Sequence, residues 1–124
     1  LNIPDSLQLE TVSGIGPVYA RRIIKYREML GGFIMPEQLR EVYGLNDEAY
    51  ARIRPGISVD PSAIRKININ SDEFKTINRH PYVSYDLTKT IFNARRKNPL
   101  TAETLERMVN SDSLWQRLRP YVTY

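Results

Sequence analysis

The chain has 124 residues, enough for one medium domain or two small ones. It is 41% hydrophobic and 26% charged, which excludes wholesale disorder, and its 18 basic against 14 acidic side chains give a net charge of +4, a balance that permits an anionic partner without demanding one. The absence of cysteine excludes disulfide frameworks, thiolate metal sites and cysteine nucleophiles.

Apolar spacings of three and four around Leu9 and Val12, and again at Ala20, Ile23 and Ile24, predict two short helices. The turn between them, Ser13-Gly14-Ile15-Gly16, sets a glycine on each side of one aliphatic residue. Glycine accepts positive φ and lets another backbone come close. Pro17 stands where the next helix should begin, with φ already set and no amide hydrogen lost. Gly31-Gly32 should end that helix. A connector, Gly-Gly-Phe-Ile-Met-Pro at 31–36, leads to Leu39, Val42, Gly44-Leu45, Tyr50 and Ile53, which read as a second helix, tight turn and helix. Asn46 replaces the second glycine there. It tolerates the left-handed region better than most residues and can cap the following helix, as can Asp47. Nothing in this half reads as a sheet.

The same order of elements then recurs. A shift of 68 positions carries Asn2 to Asn70, Leu9 to Ile77, Ile15 to Val83, Ile23 to Ile91 and Arg27 to Arg95, and a shift of 65 carries Ile53-Arg54-Pro55 to Leu118-Arg119-Pro120. Two units are expected, residues 1–58 and 67–124, joined by a linker at 59–66 with turn chemistry around Val59-Asp60-Pro61-Ser62. In the second unit both glycines of the first hairpin are gone. Tyr82-Val83-Ser84 stands in their place after His80-Pro81, with a cost expected at positive φ and a tyrosine expected to obstruct backbone approach. The last hairpin, Met108 to Asp112, has no glycine and is one residue short. The second unit should keep the fold and largely lose the site, although it is the more basic half, at +3 (nine basic, six acidic) against +1 (nine and eight) for residues 1–66.

The tight hairpin at Gly14-Ile15-Gly16 puts amides at a helix N-terminus, which suits a phosphate group and asks for no particular base. A dinucleotide fingerprint fits poorly, because Tyr19 stands where the third glycine belongs and the preceding segment is helical. No metal-ligand spacing, nucleophile elbow or phosphate-binding loop of nucleotide hydrolases is present, so no catalytic residue, metal or cofactor is expected. His80, in the apolar slot of Val12, is expected to pack or cap. Tyr82 and Tyr85 are candidates for a protein-binding surface.

Gly14-Ile15-Gly16-Pro17, Ile23-Ile24-x-Tyr26-Arg27, Gly32-Phe33, Glu37-x-Leu39, Gly44-Leu45 and Ile53 resemble the helix-hairpin-helix family, and more narrowly its ComEA-type competence DNA-uptake receptors of bacteria. Asn68-Ile69-Asn70-Ser71, Ile91, Arg95-Arg96 and Leu118 extend the resemblance to the second unit. The resemblance implies an all-α fold of tandem paired helix-hairpin-helix domains, SAM-domain-like helical bundles, with no enzymatic activity. It implies DNA contact by Gly14, Ile15 and Gly16, by Arg21, Arg22 and Lys25 on the following helix, and by Gly44, Leu45 and Asn46. Duplex DNA is favoured over RNA on that ground alone.

Three functional readings follow: a sequence-independent DNA-binding module, a protein-interaction or structural module on a degenerated DNA-binding fold, and the accessory domain of a larger nuclease or repair protein. A protein partner through the second unit fits the first two. No stretch reaches the roughly 18 apolar residues of a membrane span, so no membrane contact is expected of these residues themselves. No signal peptide is visible, and a start at Leu1 rather than Met is what a fragment or processed product would show. An extracytoplasmic location, with a membrane anchor upstream, is implied by the resemblance only.

Overall fold

The computed structural model describes residues 16–124. The chain divides into two units, Leu1–Ile64 and Arg65–Tyr124. The fold is all-α, with two strands of two residues each among the described residues.

In the first unit, α1 spans Pro17–Leu30, with proline at its opening position and Gly31 at its end. Gly31 takes the left-handed conformation, φ 97°, and donates its amide to the Arg27 carbonyl at 2.9 Å. The buried face of α1 carries Ala20, Ile23 and Leu30, which fixes how the helix lies on the core. Ile23 and Leu30, fully buried, contribute about 1.5–3 kcal/mol each. Phe33 in the connector is also fully buried. The connector is pinned by Gln38, whose buried Oε1 accepts the amides of Ile34 (2.6 Å) and Met35 (3.2 Å).

The expected helix around Leu39 is a six-residue 3-10 segment, Pro36–Glu41. Pro36 and Gly44 leave little chain between them, and the backbone closes by tighter turns such as Val42 N–H to Leu39 O at 3.1 Å. Next comes α2, Asp47–Ile53, capped by the Asn46 Oδ1, which accepts the Ala49 amide at 2.8 Å. Asn46 has φ −82°, so its tolerance of the left-handed region is not used. That conformation belongs to Gly44, at φ 81°. A 3-10 turn, Arg54–Gly56, follows α2.

The second unit opens on a short strand and continues with four helices. Strand β1, Ile67–Asn68, pairs in parallel with β2, Val122–Thr123, with Ile67 opposite Val122. This pair adds a small sheet element to an otherwise helical unit and ties the start of the unit to its end. Asn70 and Leu100 exchange hydrogen bonds, Leu100 N–H to Oδ1 at 2.7 Å and Nδ2 to Leu100 O at 3.0 Å. Helices α3 (Phe74–Asn78), α4 (Tyr85–Arg95), α5 (Ala102–Val109) and α6 (Asp112–Leu118) lead to a 3-10 turn, Arg119–Tyr121. The shortened turn between α5 and α6 works without glycine because Asn110 takes the left-handed conformation, φ 53° and ψ 38°, that Gly44 supplies in the first unit.

Candidate nucleic-acid interface

Gly14 and Ile15 lie outside the described residues; Gly16 lies within them. Its backbone is extended, φ −94° and ψ 175°, and a Cβ built on it meets nothing within 4 Å. The expected positive φ is therefore absent at Gly16, and an L side chain fits there without strain. Gly16 caps α1 through its carbonyl, which accepts the Ala20 amide at 3.0 Å, but it offers no side-chain oxygen to the first-turn amides of Val18 and Tyr19. No carboxylate stands in that first turn. Among the described residues nothing covers the positive end of this 14-residue helix, with half-exposed Val18 at its edge.

The three basic residues downstream are not equivalent. Arg21 and Lys25, four apart on α1, are exposed. Arg22 is half-buried and reaches across to the second hairpin, where its Nη1 donates to the Tyr43 carbonyl at 3.3 Å and its guanidinium carbon lies 4.9 Å from the centre of the Tyr43 ring. A Cβ at Gly44 would collide with that same Nη1. Gly44 is therefore needed twice, for its φ and for the close approach of Arg22.

The second hairpin is more committed to itself than the sequence suggests. Leu45 is buried, and its amide donates to the Val42 carbonyl at 3.1 Å, so it is not free for a ligand. The Asn46 side chain caps α2. Exposed Asp47 and Glu48 occupy the first turn of α2, where they complement the helix dipole and repel an approaching anion.

The third hairpin is closed from within. His80, 3% exposed, accepts the Tyr82 amide on Nδ1 at 3.1 Å, and its carbonyl accepts the Val83 amide at 3.0 Å. Ser84 Oγ accepts the Leu87 amide at 3.0 Å. The cost expected of positive φ does not arise, since Ser84 has φ −76° and Asn110 is the one non-glycine residue with positive φ among the described residues. Nor does Tyr82 obstruct the outer surface. Its ring turns inward, 6% exposed, against His80 (5.5 Å between centroids) and Tyr121 (5.8 Å). Arg95, in the second unit's basic run, is likewise an internal brace: Nη1 donates to the carbonyls of Ile69 (3.1 Å) and Asp72 (2.8 Å), and the guanidinium covers Phe92 at 3.6 Å.

One residue of the first unit escaped the sequence pattern. Tyr43 is 80% exposed between buried Val42 and the Gly44 turn. The available signal was its position, an aromatic residue immediately before a turn glycine in a hairpin that already has Val42 and Leu45 for its core.

Residues 1–58 match a family model described as a helix-hairpin-helix motif. The chain is also similar to ComE operon protein 1 of Bacillus subtilis (strain 168), with 36% identity over 52 residues, 42% of this chain. That match spans 25% of the length of the relative. No solved structure matches.

Proposed function

We propose that this helix-hairpin-helix, ComEA-like chain is a non-enzymatic module that binds the DNA backbone without regard to sequence. The observation that carries the proposal is the start of α1, where, among the described residues, no side-chain cap, first-turn carboxylate or steric cover stands at Gly16. A phosphate approaching there meets first-turn amides and the positive helix end, with Arg21 and Lys25 supplying longer-range attraction. Gly14 and Ile15 complete the hairpin in this reading. Arg22 and Gly44 hold the second hairpin against α1, and Leu45 and Asn46 support that hairpin more than they bind. Duplex DNA is the expected form, and the ComEA-like resemblance supports a role in bacterial DNA uptake, outside the cytoplasm. The second unit is read as a tandem copy that serves as scaffold or as a separate surface for a protein partner.

The test is binding of unrelated duplexes across a salt series. Log affinity should fall with log salt at about −0.9 per phosphate neutralised. A folded Gly14→Val/Gly16→Val double variant should bind about tenfold more weakly or worse, the loss of at least one charge-assisted hydrogen bond (~1.5 kcal/mol). Absence of binding at low salt would refute the proposal. Unchanged binding by the double variant would leave net charge, not the hairpin, as the cause.

A further inference from the structure

Tyr43 is a large ring that the fold does not use. Its neighbours Val42 and Leu45 carry the burial, at 3% and 7% exposure, while Tyr43 stands 80% exposed at the tip of the second hairpin. It is nevertheless held by Arg22, through the hydrogen bond to its carbonyl and the guanidinium set against its ring. The geometry at Gly44 preserves this arrangement, since any side chain there would displace Arg22. Beside the ring lies a groove of about 310 Å³ lined by Arg22, Lys25, Tyr26, Met29 and Tyr43. Among the described residues two cations line it and no carboxylate does. Glu41, nearby, accepts the Tyr26 hydroxyl at 2.6 Å outside that lining.

We infer that the Tyr43 ring is a stacking platform for an unpaired nucleotide, so that this unit holds single-stranded stretches and frayed ends through Tyr43 in addition to the duplex backbone. The inference rests on the DNA-binding reading above and specifies the form of nucleic acid. In a duplex both faces of every base are covered by its neighbours, and a protein ring arriving from outside meets only sugars and base edges. A base out of the stack offers its whole face, and an exposed aromatic ring gains from it whatever the base. The cations of the same groove suit the phosphates on either side of that base. Arg22 acts here as a positioning residue for Tyr43, with one face of the ring against its guanidinium.

The experiment uses the full chain and two fluorescent probes, a mixed-sequence single strand of roughly 16 nucleotides and the blunt duplex of the same sequence, read by anisotropy. Tyr43→Ala should weaken single-strand binding about tenfold, one base–aromatic stack of ~1.4 kcal/mol, and duplex binding less than about twofold. Tyr43→Trp should retain single-strand binding, because a π face is what is required. Circular dichroism confirms that the variants are folded. Equal losses on both probes, or no loss on the single strand, would overturn the inference, and the latter result would turn the search towards a protein partner for the ring. A wild-type chain that binds neither probe removes the DNA-binding reading itself, an outcome distinct from duplex binding that persists without any effect of Tyr43.

Discussion

Helices α1 and α4 occupy matching places in the two units and begin in opposite ways. At α4, Ser84 caps the first turn, Asp86 neutralises the helix end, and the two preceding amides are consumed by His80. At α1, Gly16 supplies no side-chain cap, there is no carboxylate in the first turn, and no described residue lies over its α-carbon. Both are sound helix starts, so the differences are not demanded by folding. The ones at α4 add internal hydrogen bonds. The ones at α1 add no such bond from the described residues. In the proposed reading Gly16, which its own φ does not require, leaves room for a ligand, whereas Gly44, whose positive φ does require glycine, is weaker ground for that reading.

Three substitutions in the second unit would break this contrast if its hairpin were a working site. Tyr82→Ala should have the largest effect, about 3 kcal/mol of stability by urea unfolding, from the loss of a buried ring packed on His80 and Tyr121. Duplex affinity should stay within about twofold. Arg95→Ala should cost about 2 kcal/mol, because two carbonyls lose a charged donor. The salt slope of DNA binding should be unchanged, whereas a phosphate-contacting residue would lower it by about 1. Ser84→Ala should cost about 1 kcal/mol, the ordinary value of a lost N-cap, seen as a lower melting temperature. A fall in DNA affinity in any of the three, with folding intact, would mean that the second hairpin pair takes part in binding.

Helix positions were legible because their signals are local. Pro17, Gly31 and Asn46 each act within one turn of where they stand. Three features were not. The inward turn of Tyr82 depends on Tyr121, from the far end of the unit. Arg95 takes carbonyls 26 and 23 residues away, and nothing in its basic run distinguishes it from exposed Arg96 and Lys97. The pairing of Arg22 with Tyr43 spans 21 residues and converts an expected phosphate contact into a brace. The candidate site was thus legible as a motif, and the division of labour among its residues was not, because that division is set by tertiary contacts.

The central claim is that Gly16 is kept for a ligand and not for the fold. Gly16→Ser tests it most directly by giving α1 the cap that α4 already has. A serine oxygen there would accept the Tyr19 amide, as Ser84 Oγ accepts that of Leu87. The variant should be as stable as the wild type or more stable by a few tenths of a kcal/mol, and should lose duplex affinity about tenfold, one charge-assisted hydrogen bond. Unchanged affinity in the folded variant, or a marked loss of stability, would contradict the claim.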